Sequence, residues 1–217
     1  SENIWKRPGF SEMLQFDPIQ GIPPSLKTEI WVAYDDEAIY YAAKHYDPNP
    51  DSILARLIRR DYIWSDPSDG SLLYLDSYND KRTGYFFYVN AAGSVADGLL
   101  GNDSKWPNDL SWDAVWEGVS HIGSDGWSVE MKIPFSQLRF NEGTSQVWGI
   151  NIERYIARNY ETDNIVYTPR NENRFVSRFP GLIGIEGITP KTRLELLPYG
   201  TGRAEYVGND PKDPFNS

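Results

Sequence analysis

The sequence contains no cysteine and only two histidines among its 217 residues. Without cysteine there can be no disulfide, no thiolate nucleophile, no iron–sulfur cluster and no zinc site built on thiolates. No apolar run approaches the roughly 18 residues that a membrane-spanning helix needs. The 18 glycines and 15 prolines are too few to indicate a low-complexity chain. These absences exclude thiol-based enzymes, helical membrane proteins and disordered repeats.

Positive charge is also scarce. The chain has 21 lysines and arginines against 31 aspartates and glutamates, which gives a formal net charge of −10. A field of this sign repels the phosphates of nucleic acids and the surfaces of anionic lipids. We therefore expect no nucleic-acid partner.

Aromatic residues are abundant, with 8 tryptophans, 14 tyrosines and 9 phenylalanines. Flat aromatic faces among acids and amides suit ligands rich in hydroxyl groups, but they also fill ordinary protein cores. Composition alone leaves both interpretations open.

Alternating apolar and polar residues predict β-strands along most of the chain. Residues 127–133 alternate most strictly, which is typical of a strand with one wet and one dry face. Residues 72–75 and 85–89 are almost continuously apolar, which indicates strands covered on both faces. The predicted strands fall at 29–34, 38–43, 72–75, 85–89, 112–119, 127–133 and 148–155, with weaker candidates at 181–188 and 193–197.

Helix signals are few. Ser52 is a possible N-cap for a helix over 53–60, and residues 134–138 could form one turn that begins at a proline. Many short strands with little helix predict an all-β fold, an antiparallel β-sandwich with one or two short helices.

The predicted sandwich domain spans residues 22–190 as one unit. Residues 1–21 are expected to form an N-terminal strap, because prolines punctuate this part of the chain. The composition changes after Pro190, so residues 191–217 are interpreted as a linker toward a further region.

Common catalytic motifs are missing from the sequence. It has no Gly-x-Ser-x-Gly elbow, no phosphate-binding P-loop, no dinucleotide fingerprint and no His-Glu-x-x-His pair. A glycoside hydrolase needs only two carboxylates roughly 5 to 9.5 Å apart, which 31 acids permit everywhere and indicate nowhere. We expect no enzyme, with a glycoside hydrolase as the third-ranked alternative.

Calcium is a possible cofactor, although the sequence assigns no ligands to it. Residues 47–51 place oxygen ligands at alternate positions, but Ser52 and Ile58 replace the glycine and glutamate of an EF-hand. Other aspartates in polar connections could complete an oxygen cage, and the simpler interpretation makes them turn residues. These are Asp66, Asp69, Asp76, Asp80, Asp97, Asp103 and Asp109.

Two tryptophans differ from the others in their surroundings. Trp64 and Trp106 lie among polar neighbours in predicted loops, where an exposed ring can serve recognition. The others considered fall within or beside alternating runs, which favours packing in the core: Trp31, Trp112, Trp116, Trp127 and Trp148. Arg170, Arg174 and Arg178 are either halves of structural ion pairs or a cluster that binds an anionic sugar.

The order of several short segments resembles family 9 carbohydrate-binding modules. It is more similar still to the module at the N-terminus of an uncharacterised bacterial family whose remaining sequence is a predicted outer-membrane β-barrel. Together the similar segments cover about residues 28–188. They are YDDEAIY (34–40), RRD (59–61), NDKRTGY (79–85), VNAAG (89–93), SWDAVWE (111–117), DGWSVE (125–130), IPFSQLRF (133–140), WGIN (148–151), FVSRF (175–179) and GIEGI (184–188).

This resemblance implies a non-catalytic module that binds a poly- or oligosaccharide within a larger exported protein. It also implies a periplasmic or outer-membrane-associated location in a Gram-negative bacterium, with residues 191–217 leading to a C-terminal β-barrel of the same polypeptide. The alternative is an accessory or interaction domain of that barrel without sugar binding.

The resemblance also implies where a sugar would bind. Characterised members of the sugar-binding family hold a terminal sugar between two tryptophans, assisted by a glutamate and an arginine. Trp64 matches the first tryptophan, whereas Leu72 stands at the glutamate's place, Tyr88 at the arginine's place and Asn173 near the second tryptophan's place. We therefore expect a different glycan site, with these candidate ligand-binding residues: Trp64, Tyr88, Trp106, Asn171, Asn173 and Arg174.

Overall fold

A computed structural model describes residues 6–62, 67–106, 109–190 and 200–202 of the chain. Eleven β-strands lie within these ranges. They are β1 (Leu14–Asp17), β2 (Thr28–Tyr34), β3 (Ala38–Tyr46), β4 (Gly70–Asp76), β5 (Gly84–Asn90), β6 (Val95–Leu100), β7 (Glu117–Gly123), β8 (Gly126–Pro134), β9 (Ser145–Ile156), β10 (Glu161–Asn164) and β11 (Gly181–Glu186).

The strands form two antiparallel sheets that pack as a sandwich. The larger sheet has the order β1-β10-β9-β4-β5-β6, and β11 lies beside the first half of β9. The smaller sheet has the order β2-β3-β8-β7. The predicted antiparallel sandwich is confirmed.

The main core lies between the sheets and follows the alternation in the sequence. In β8, Trp127, Val129, Met131 and Ile133 are each at most 2% exposed, while Glu130 between them faces solvent. These side chains pack in one apolar cluster with residues of the larger sheet. Burial of one dry face per sheet is the main stabilising force of this architecture.

Polar side chains also cross between the two sheets. The hydroxyl groups of Tyr41 and Ser71 share a buried hydrogen bond of 2.7 Å. Arg154 of β9 is fully buried and donates to the carbonyl oxygens of Lys27 and Tyr46, at 3.0 and 3.1 Å. A buried guanidinium is stable only with such partners, so it fixes how the sheets align at this end.

A second apolar cluster covers the outer face of the larger sheet. Tyr74, Phe86 and Tyr88 point away from the main core and pack with Phe175 and other residues of the 165–180 segment. The rings of Tyr74 and Phe175 meet edge to face at 5.0 Å. The prediction that β4 and β5 are covered on both faces is therefore correct.

The predicted helix over 53–60 is wrong. In the described residues the only helical elements are 3₁₀ turns, at Pro50–Ser52, Phe135–Gln137, Ala157–Asn159 and Val176–Arg178. The turn at Phe135–Gln137 is the one expected at 134–138, which begins at a proline. In place of a helix, Leu54 accepts a backbone hydrogen bond from Asp69, and the amide of Ile58 donates to Ser94 Oγ. Eight residues cannot sustain a helix without packing, and these long-range hydrogen bonds use the backbone groups instead.

The predicted hairpin before residue 127 exists, but its first strand lies later than expected. β7 covers Glu117–Gly123 rather than 112–119, and Gly123 pairs with Gly126 across a two-residue turn. Gly126 has φ +132°, and a Cβ there would lie 2.0 Å from the carbonyl oxygen of His45. Glycine is required at this position, which sets the register of the hairpin.

The segment expected to be a strap contributes a strand. β1 pairs with β10 at the edge of the larger sheet, and Phe10 forms a bridge with Ile30 of the smaller sheet. Trp31 faces away from the core, and its indole donates to the carbonyl oxygen of Arg7. Within the described ranges, no helix is long and apolar enough to cross a membrane.

Candidate functional site

A cavity of about 760 Å³ opens on the outer face of the larger sheet. Its floor is made by outward side chains of β10, β9, β4 and β5, which are neighbours in the sheet. Leu72 lies directly opposite Tyr88 on one side and Glu153 on the other, so three adjacent strands place these side chains in a row. The remaining floor residues are Tyr74, Phe86, Tyr155 and Thr162.

Three segments build the walls of the cavity. The end of β1 supplies Phe16 and Asp17, the loop after β6 supplies Asn102 and residues 104–106, and the 165–180 segment supplies residues 168–170 and 172–175. The volume is within the range typical of small-ligand sites, about 300 to 1,000 Å³.

The ring of Tyr88 forms part of the cavity floor beside Gly70. A Cβ at Gly70 would lie 2.4 Å from Tyr88 Cε2, so glycine allows the ring to lie flat against the neighbouring strand. Tyr88 is 5% exposed, and the remaining surface of its ring contributes to the cavity.

Most charged groups in the cavity are held in ion pairs. Lys105 Nζ lies 2.8 Å from Glu153 Oε2 and 4.3 Å from the centre of the Phe16 ring. Arg170 contacts Asp17 at 2.5 Å and donates to the carbonyl oxygen of Phe16 at 2.7 Å. These contacts join the three wall segments to the floor and to one another.

Asp103 joins the two longest wall segments. Its Oδ1 accepts from the amides of Phe175 and Ser177, at 3.0 and 2.7 Å, and its Oδ2 accepts from Ser177 Oγ at 2.7 Å. Asn102 and Asp103 both adopt left-handed backbone angles, with φ +56° and +58°. Asn and Asp tolerate that conformation best after glycine, so the local sequence suits this tight loop.

Four of the six candidate residues line this cavity. Tyr88 lies in the floor, while Trp106, Asn173 and Arg174 lie in the walls. Trp106 is 65% exposed and lies at the rim. Asn171 is exposed on the same segment but is not a lining residue. Trp64 lies outside the described residues, and its role stays a prediction.

Three positions matched through the resemblance also meet here. Leu72, Tyr88 and Asn173 all line the cavity although they are distant in sequence. The sequence analysis missed Phe16, Lys105 and Glu153. Only Glu153 carried a signal, because it occupies a polar position in the alternating run that became β9.

The described residues contain no group of three or more His, Asp or Glu side chains placed to hold a metal ion. Several loop aspartates accept local hydrogen bonds instead. Asp80 Oδ1 accepts from the amides of Arg82 and Thr83, both at 2.7 Å, and Asp76 accepts from the amides of Asp80 and Lys81. These contacts are those of turn residues.

The arrangement suits a flat, polar ligand. Aromatic faces at the floor and rim can pack on apolar surfaces, while Asn102, Ser104, Thr168 and Asn173 offer hydrogen-bonding groups around them.

No family model matches the sequence, and no curated protein matches it. Solved structures with a similar fold do exist. A family 9 carbohydrate-binding module from Caldicellulosiruptor kristjanssonii in complex with cellotriose matches with a TM-score of 0.57 at 16% identity, over 93% of this chain and 92% of that one. A second structure of a family 9 module from that organism, in complex with glucose, matches with a TM-score of 0.58 at 15% identity, over 88% and 89% of the two chains.

A proposed carbohydrate-binding protein from Bacteroides uniformis is also similar. Its TM-score is 0.58 at 12% identity, over 80% of this chain and 86% of that one. At these identities the likeness establishes a shared fold, that of a family 9-like β-sandwich.

Proposed function

We propose that this chain is a non-catalytic module that binds an oligosaccharide, or part of a polysaccharide, in the cavity on the outer face of its larger sheet. The observation that carries the proposal is the cavity itself. Its aromatic floor and rim are surrounded by amides, hydroxyls and paired charges, and this combination suits a sugar, whose faces are apolar and whose edges are polar.

Two further points support the proposal. The similar structures include family 9 modules in complex with cellotriose and with glucose. In addition, the cavity's carboxylates are engaged by cations, since Asp17 pairs with Arg170, Glu153 with Lys105 and Glu172 with Arg178. These ion pairs hold the carboxylates in place around the cavity, as an organised binding surface requires.

Membership in a larger exported protein stays part of the proposal. It is supported by the sequence resemblance alone, and fractionation of the source cells with detection of the full-length protein tests it. Recovery from the cell envelope agrees with the prediction, whereas recovery from the cytoplasm contradicts it.

Trp106 provides the most direct test of the cavity by mutation. Stacking of an exposed indole on a sugar contributes about 1 to 2 kcal/mol, so Trp106→Ala should weaken binding by roughly tenfold. The unfolding midpoint should change little compared with the affinity, because the residue is 65% exposed. The measurement is affinity electrophoresis against a panel of neutral and acidic polysaccharides, followed by calorimetry with cellotriose or with an oligosaccharide of any retained polymer.

Tyr78→Ala is the matched control, because Tyr78 is a partly exposed aromatic residue outside the cavity. Its affinity should equal that of the wild type. If the Trp106→Ala variant binds as tightly as the wild type, Trp106 is not part of the site. If the wild type binds no polysaccharide of the panel, the proposed function is rejected.

A further inference from the structure

The cations around the cavity are not equivalent. Lys105 is paired with Glu153, Arg170 with Asp17, and Arg178 with Glu172. Arg174 also lines the cavity and is exposed. Within the part of the chain that the structure describes, no carboxylate lies within ion-pair distance of its guanidinium and no oxygen accepts a hydrogen bond from it.

The carboxylate that interacts electrostatically with Arg174 is held by hydrogen bonds to other residues. Asp103 interacts electrostatically with Arg174. Its two oxygens accept the three hydrogen bonds from Phe175 and Ser177 that hold the wall segments together. Arg174 therefore brings to the cavity donors that no group in the described part of the chain uses.

Charge around the cavity agrees with this view. Among the residues that the structure describes, the lining acids are Asp17, Glu153 and Glu172, and each has a cationic partner. The partner of Glu172 is Arg178, which is not a lining residue. Pairing thus leaves the positive charge of Arg174 uncompensated by a lining carboxylate.

We propose that Arg174 makes the cavity selective for a saccharide that carries a carboxylate, such as a uronic acid. This inference rests on the proposed function and names the class of its ligand. A guanidinium matches a carboxylate through two parallel hydrogen bonds, which a neutral hydroxymethyl group cannot reproduce. The aromatic floor and amides bind the rest of the sugar ring in either case.

The acidic character of the whole chain does not oppose this selectivity. Its net charge is −10, but exposed charges farther than about 8 Å apart are largely screened at physiological salt. A direct pair inside a cavity acts over hydrogen-bond distance and depends on its immediate neighbours.

The experiment uses pairs of sugars that differ only at C6. Binding of methyl β-glucoside is compared with methyl β-glucuronide, and methyl β-galactoside with methyl β-galacturonide, by NMR titration of the whole chain. We expect the uronide of at least one pair to bind about tenfold more tightly than its neutral partner, as a charge-assisted hydrogen bond provides. Added salt should weaken binding of the uronide but not of the neutral sugar.

Arg174→Gln should remove the preference, with about a tenfold loss for the uronide and little change for the neutral sugar. Arg174→Lys should restore only part of it, because ammonium keeps the charge but loses the planar fork. Arg139→Gln is the control, since Arg139 is exposed and lies outside the cavity; this variant should keep the preference.

Equal affinities for the members of both pairs, or equal losses for both sugars in Arg174→Gln, would overturn the inference and leave the proposed function intact. If the wild type retains a polysaccharide but binds no sugar of either C6 pair, the inference alone is overturned. If it binds neither these sugars nor any polysaccharide of the panel, the inference and the proposed function are both overturned.

Discussion

The Asp163→Asn variant is expected to lack the decline in stability that the Asp163 carboxyl imposes on the wild type between about pH 5 and pH 8. Asp163 of β10 is fully buried and lies opposite Arg154 in the sheet. Burial, and after it the negative charge of Glu161, raise the pKa of Asp163 from 3.8 to about 8, although Arg154 opposes the shift. The folded chain therefore holds a proton on this carboxyl that the unfolded chain releases near pH 4.

The sign of the effect follows from proton linkage. Where the folded state binds more protons than the unfolded state, the free energy of unfolding falls as pH rises. For Asp163 the stabilising proton is present below pH 3.8 in both states and is lost from the folded state as pH passes about 8. Its contribution thus decreases through this window. Asparagine resembles the protonated carboxyl and does not titrate. The free energy of unfolding of the variant should therefore rise by a few kcal/mol relative to that of the wild type as pH approaches 8.

Thermal unfolding at several pH values measures this difference. The melting temperature of Asp163→Asn relative to the wild type should rise by roughly 5 to 10 °C from about pH 5 to pH 8. His45, whose pKa is lowered by burial, adds an opposite slope below about pH 6.5, but it does so equally in both proteins. Asp36→Asn is the control, because Asp36 is exposed in a turn. Parallel pH profiles for Asp163→Asn and the wild type would show that the carboxyl titrates normally.

The Asp103→Gly variant is expected to lose both stability and ligand affinity. The change removes the carboxylate that accepts from the amides of Phe175 and Ser177 and from Ser177 Oγ. Glycine suits the backbone at φ +58°, so the loss reports the side chain rather than backbone strain. The amide of Phe175 keeps the main-chain carbonyl oxygen of residue 103 as an acceptor, at 3.0 Å. The two contacts of Ser177 therefore account for most of the loss, about 2 kcal/mol in the free energy of unfolding.

Affinity should fall about tenfold, because Asn173 and Arg174 lie in the wall that Asp103 holds, and a binding site that is not held in place must be ordered by the ligand. Denaturant unfolding and calorimetry with the bound oligosaccharide measure the two losses. Asn79→Gly is the matched control, since Asn79 has φ +54° in an exposed turn away from the cavity. If Asp103→Gly behaves like this control, Asp103 does not organise the site.

Much of the fold could be predicted from the sequence, because it depends on burial of every second residue along a strand. The alternation of residues 127–133 became β8, and the apolar runs at 72–75 and 85–89 became β4 and β5. The helix predicted at 53–60 failed for a reason that local pattern does not contain. Its backbone groups bond to Ser94 and Asp69, which are distant in sequence.

The short strand β10 was not predicted from the sequence for a related reason. Residues 161–164 are Glu-Thr-Asp-Asn, yet all four are buried in β10 between β9 and β1. Their burial is compensated by neighbours such as Gln15, which donates to Glu161 at 3.2 Å. No propensity or alternation predicts a strand in such a polar sequence.

The candidate site was predictable in part. Trp106, Asn173 and Arg174 stand in polar loops, where recognition residues concentrate, and the structure brings all three to one cavity. In the floor, Tyr88 was a candidate and Leu72 was matched through the resemblance, whereas Glu153 was missed because it becomes their neighbour only through the register of β4, β5 and β9. The ion pairs that distinguish Arg174 from Arg170 likewise depend on tertiary contacts.

The central claim, that a saccharide binds in the cavity on the larger sheet, is tested most directly by mapping the ligand onto the chain. Amide and indole N–H signals of the labelled protein are followed while an oligosaccharide retained in the polysaccharide panel is added. The account predicts progressive shifts for the Trp106 indole and for the amides of residues 102–106, Thr168 and residues 170–175, saturating at micromolar to millimolar ligand. Shifts confined to the smaller sheet, or none at millimolar ligand, would contradict it.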